Sequence, residues 1–133
     1  MKSLSKKEFE NECKRFQFRG KCAVLFNEKM QKINSINLEY KDNNLFNIKE
    51  LEDNVSKYTS GVLVNFEISP KFSFENVEKV MCELLKYLPE YVDLSITATY
   101  DELKDIDNAN VMVVISNSSK LKIFFSKIFN LKG

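Results

Sequence analysis

The sequence predicts one α/β (α+β) domain: about four strands in a mixed sheet with helices packed on one face, then a C-terminal amphipathic segment. Three observations carry that prediction. Val62, Val64, Phe66 and Ile68 fall on one face at period two. Phe74, Val77, Met81, Leu84, Leu85 and Leu88 recur at three- and four-residue intervals, the stripe of a core-facing helix. Val92, Leu94, Ile96, Ala98 and Tyr100 then alternate strictly with Asp93, Ser95, Thr97 and Thr99, the pattern of a strand with one wet face.

The elements follow in chain order. Residues 5–18 place Phe9, Cys13 and Phe16 among charges at helical spacing, and 21–26 form a short apolar run beside Gly20 that reads as a strand by its length. Residues 29–60 are the least legible, because Asn34, Asn37, Asn43, Asn44 and Asn47 interrupt every period; only 47–58 suggests a helix, with Ile48, Leu51 and Val55 inward. The strand over 61–68 stops at Ser69-Pro70, since proline has no N–H for a ladder. Ser73 occupies an N-cap position with Glu75 in the first turn, and Pro89 ends the helix that follows. After the strand over 92–100, the polar stretch 101–110 leads into Val111-Met-Val-Val-Ile115, close enough for the two strands to form a hairpin. The expected division is one domain over 1–117 and a basic amphipathic helix or tail over 118–133.

Composition narrows the function. The 133 residues contain no histidine, which removes His-based triads, His general bases and His-ligated zinc. The three glycines, Gly20, Gly61 and Gly133, leave no phosphate-cradling loop. No enzyme, cofactor, metal site or small-molecule substrate is therefore expected. A net charge of +1 argues against nucleic acid. Cys13, Cys22 and Cys82 are odd in number and lack C-x-x-C spacing, so buried free thiols are expected. The first fifteen residues are mostly polar or charged, with no apolar core of an export signal, which points to the cytoplasm.

Gly61-Val-Leu-Val-Asn-Phe66 resembles the G-V-L-V/I-N strand in the C-terminal domain of the bacterial cell-division GTPase FtsZ. Leu94 to Glu102 resembles that family's strand ending in I-D-E, and Asn110 to Ser116 its R-V-T-V-I-A-T strand. Upstream, Glu8-Phe-Glu-Asn11 and Gly20-Lys-Cys-Ala23 are similar to its D-F-A-D and G-K-A-L runs, so the resemblance spans about residues 6–117. It implies a tubulin-like C-terminal domain standing without a GTP-binding half. The family's catalytic loop, N-x-D-x-x-D, matches Lys6, Glu8 and Asn11. Only one carboxylate survives there, and a neutral Asn11 cannot help position water near a phosphate-bound cation. The resemblance implies a non-catalytic interaction domain in cell division, with Glu8 and Asn11 as partner-binding residues toward an FtsZ-type protein or a second copy, capping filament growth.

The tail lies outside the resemblance. Leu121, Phe124, Phe125, Ile128 and Phe129 share one helical face, with Lys120, Lys122 and Lys127 mainly opposite. Residues 61–117 hold 4 basic and 10 acidic side chains, whereas 118–133 hold 4 basic and none acidic. The tail can pack on its own domain, or Lys120, Lys122, Phe124, Phe125 and Lys127 can engage an anionic membrane surface or a partner groove. The second possibility defines an alternative function, a basic-tailed adaptor unrelated to FtsZ assembly. Asp101, Glu102, Asp105 and Asp107 follow no EF-hand spacing and read as a solvated loop.

Overall fold

The longest strand lies where the sequence was hardest to read. The structure, a computed structural model, describes residues 31–90 and 92–118 together with positions 2–3, 7–8 and 11. Strand β1 (Lys2–Ser3) and β2 (Gln31–Lys41) pair antiparallel. A two-residue turn returns β2 into β3 (Asn44–Phe46), with Asp42 and Asn43 at φ 51° and 61°. Two successive left-handed residues match the strand twist, and Asp and Asn tolerate that region better than other side chains.

Helix α1 (Ile48–Asn54) follows from Asn47, which sits in the left-handed region at φ 70°. It fixes Leu51 in the core, with Ile48 and Val55 half-buried beside it. Strand β4 (Thr59–Ile68) is buried along its length except for half-buried Ser60 and Glu67. Helix α2 (Phe74–Leu85) begins where expected, the Asn76 N–H donating to Ser73 Oγ at 3.1 Å. Strands β5 (Asp93–Tyr100) and β6 (Ala109–Ser118) complete the sheet.

The strand order is β1-β2-β6-β4-β5, with β3 also on β2. Six strands are described, four of them long; the expected strands over 61–68, 92–100 and 111–115 correspond to β4, β5 and β6, whereas β1, β2 and β3 have no counterpart among the expected strands. The sheet is mixed, since β4 and β5 run parallel while β6 is antiparallel to both of its neighbours. The expected hairpin between β5 and β6 does not form. The connection crosses the end of β4, where the Asp101 N–H donates to Ile68 O at 2.9 Å, and β6 pairs on the far side. Alternation identifies a strand but not its neighbour, and apolar β6, buried on both faces over 113–116, takes the central place.

One face of the sheet carries the core. Ile36, Leu38, Val62, Val64, Phe66, Val111, Val113 and Ile115 meet Leu51, Val80, Met81 and Leu84 from the helices. Full burial stabilises such side chains by about 1.5–3 kcal/mol each. Two members of the expected helix stripe depart from it: Phe74 is 74% exposed and Leu85 is also exposed. The fully buried side chains of α2, Val80, Met81 and Leu84, cluster in its second half, and Phe74 at its start is left exposed. Cys82 is exposed rather than buried, one position round the helix from buried Met81. Cys13, Cys22, the apolar run 21–26 and most of the helix expected over 5–18 lie outside the described residues. No helix among the described residues is long and apolar enough to cross a membrane.

Candidate functional sites on the two sheet faces

The face opposite the core changes character along its length. Leu63, Val114 and Ser116 are buried near the Thr59 end. Toward the other end Asn37, Glu39 and Asn110 are exposed around a polar cleft of about 330 Å³, lined also by Asn47, Asn65, Glu67 and Met112. Register builds this cleft, because Glu39, Asn110 and Glu67 lie side by side on three neighbouring strands. Asn37, Met112 and Asn65 form the next row.

Asn65 is the buried anchor of the cleft at 1% exposure. Its Oδ1 accepts from the hydroxyls of Thr97 at 2.9 Å and Thr99 at 3.3 Å, both on β5. Two hydroxyl donors on one oxygen compensate for taking an amide out of water. Asn47, held left-handed before α1, donates through Nδ2 to Asn37 O at 3.4 Å and closes the rim. Glu39 meets Lys41 at 3.8 Å, with both side chains about half exposed. The cleft offers amides and two carboxylates, Glu39 and Glu67, for hydrogen bonding.

The second concavity is apolar and lies on the core side, where α2 stops short of β5. Phe66, Ile68, Pro70, Phe72, Phe74, Val77, Ile96, Ala98 and Tyr100 line a groove of about 390 Å³. Phe72 packs edge-on against Tyr40 with ring centroids 6.1 Å apart, and the Tyr40 hydroxyl donates to Asn76 Oδ1 at 3.2 Å. The floor is thereby tied to α2. Ile96 and Tyr100, expected inside, are 49% and 65% exposed. Leu103 and Ile106, in the loop that follows β5, are exposed as well. The alternation of β5 was legible, but at the sheet's edge half of its apolar face lacks a covering helix.

No protein-family model matches the chain, and no curated protein does. The chemistry of these surfaces therefore rests on the residues themselves. Glu8 is half-buried and Asn11 exposed, both in helical conformation one turn apart, and neither lines the cleft or the groove. Lys120, Lys122, Phe124, Phe125 and Lys127 lie outside the described residues. In the acidic loop, Asp101 Oδ1 accepts from the Leu103 N–H at 3.0 Å and Asp105 Oδ1 from the Asp107 N–H at 2.9 Å, so two carboxylates close local turns. Among the described residues no three His, Cys, Asp or Glu side chains group to hold a metal ion. Sequence reading missed both concavities. The clue to the first was Asn65, an amide inside an otherwise apolar strand; the second gave no sign, since exposed Phe74 and Ile96 carry the periodicity of core residues.

Proposed function

We propose that this chain is a non-catalytic protein-interaction domain that docks a partner on the apolar groove between α2 and β5. The observation that carries this reading is the grouping of Phe74, Ile96 and Tyr100, each about half exposed or more, around one concavity beside buried Phe72. Large apolar side chains scattered singly over a surface need no explanation, but grouped around a groove they mark a place where a partner excludes water.

The resemblance of residues 6–117 to the FtsZ C-terminal domain supplies the candidate partner, an FtsZ-type filament. The mixed sheet, with β4, α2 and β5 arranged as a parallel strand-helix-strand unit over the most similar segments, supports this reading. On this reading the domain caps growth, with Glu8 and Asn11 toward the nucleotide-bearing face. Co-sedimentation with an FtsZ-type protein and GTP, following polymer mass and phosphate release together, tests it. Substoichiometric loss of polymer is expected, and no change in either readout at equimolar ratio sinks the filament reading. Phe74→Asp and the pair Glu8→Ala with Asn11→Ala identify which surface makes the contact.

A further inference from the structure

The two edges of the sheet are finished differently. On one side, β1 covers β2 at positions 34–35 and β3 covers it at 39–41. On the other, β5 has no neighbour beyond β4 among the described residues. Eight residues of β5 run in unbroken register with β4, from Asp93 opposite Gly61 to Tyr100 opposite Ile68. Its sequence, Asp-Leu-Ser-Ile-Thr-Ala-Thr-Tyr, contains none of the lysines, prolines or bulges that keep exposed edges from pairing.

The direction of its hydrogen bonds follows from one contact. The Asp101 N–H points to Ile68 O on β4, and backbone groups alternate sides along a strand. Leu94, Ile96, Ala98 and Tyr100 therefore turn their N–H and C=O groups outward. The same four residues carry their side chains on the groove face, where Ile96, Ala98 and Tyr100 are exposed.

Self-pairing across a twofold axis normal to the sheet must join like faces. With Thr97 on the axis, Asp93 of one copy would face Asp101 of the other, a repulsion formed twice. With Ala98 on the axis that clash disappears. Ile96 of each copy then faces Tyr100 of the other, and Thr97 faces Thr99 on the polar side. This register thus avoids the Asp93–Asp101 repulsion and sets the two large exposed apolar side chains of β5, Ile96 and Tyr100, against each other.

We propose that β5 is the edge through which two copies of this chain pair antiparallel about Ala98, continuing one sheet across both. This gives the docking surface a second copy as partner and rests on the reading of that surface as an interaction site. An eight-residue edge is a small interface, so the dimer is weak and its formation depends on protein concentration.

Analytical ultracentrifugation of the full chain from low to high micromolar concentration should show the mean mass rising from 15.5 kDa toward twice that value. Ala98→Pro removes an outward N–H that β4 does not use, and should abolish the rise while leaving the circular dichroism spectrum unchanged. In a background with Cys13, Cys22 and Cys82 all replaced by Ser, Ala98→Cys should cross-link under mild oxidation well above the level of Thr97→Cys, which this register sets opposite Thr99 rather than opposite its own copy. A mass fixed at 15.5 kDa throughout, or a rise that a folded Ala98→Pro variant retains, overturns the pairing. If the mass stays fixed while Phe74→Asp still abolishes the effect on filaments, the pairing alone fails and the groove keeps its role.

Discussion

Phe74 and Leu84 belong to one apolar stripe of α2 in the sequence but should respond to truncation very differently. Leu84 is 1% exposed and packs into the main core. Replacing it with alanine removes buried methyl groups and leaves a space the surroundings fill only in part, a loss of about 2–5 kcal/mol. Against a total stability of about 5–15 kcal/mol, that is a large fraction. Phe74 is 74% exposed, so only about a quarter of its surface leaves water on folding. A quarter of a full burial of about 3 kcal/mol gives Phe74→Ser a cost under about 1 kcal/mol. Urea unfolding followed by helical circular dichroism measures both, with a shift in midpoint at constant slope identifying a change in stability. A loss of 2 kcal/mol or more for Phe74→Ser would mean that its ring is core, and the groove proposed for docking would be closed in solution.

Three further outcomes are expected. Asn65→Ala strands the Thr97 and Thr99 hydroxyls and should cost about 1–3 kcal/mol, a loss that Thr97→Val combined with Thr99→Val reduces in the same background if those hydroxyls are its cause. Asn43→Gly should raise the unfolding midpoint modestly, by up to about 1 kcal/mol of stability, because glycine meets no steric penalty at φ 61°; a lower midpoint would count against the left-handed turn. The Lys86 ammonium donates to Glu83 at 2.7 Å, and that hydrogen bond and charge hold its pKa above the ordinary 10.5. Any stability from the pair is thus complete below 10.5 and fades as pH rises through the higher folded value; NMR titration should show the Lys86 pKa falling in Glu83→Gln.

Why some of this was legible in the sequence and some was not comes down to how many faces of a strand are covered. In β4, Val62, Val64, Phe66 and Ile68 mark the core face, and Ser73 marks the start of α2 by a cap that depends only on local chain geometry. In β2, Ile33 is buried on one face while Ile36, Leu38 and Tyr40 are buried on the other. The three-residue step from Ile33 to Ile36 breaks the period of two and hides the strand, although a strand covered on its second face at one end, as here at Ile33 and Ser35, permits it. The asparagines that seemed to interrupt this region have separate roles: Asn43 in the turn, Asn47 ahead of α1, and Asn37 at the open cleft. The groove stayed hidden because edge and interior strands can share one alternation, and only the pairing order distinguishes them. The tail over 119–133 and most of the region before residue 31 lie outside the described residues.

The position of β6 sets the order in which the molecule can be assembled. It is the last of the described strands along the chain and lies between β2 and β4, pairing Gln31 with Ser118 at one end and Ile68 with Ala109 at the other. During synthesis, β2 and β4 leave the ribosome before the strand that joins them, each with an apolar edge waiting for the same partner. Local closure of the β4-α2-β5 unit cannot bring in β2, so the sheet forms late, by long-range pairing whose loop-closure entropy slows folding. A nascent chain stalled before residue 109 would expose the inner edges of β2 and β4 as well as the outer edge of β5, and would need a chaperone's protection until β6 emerged.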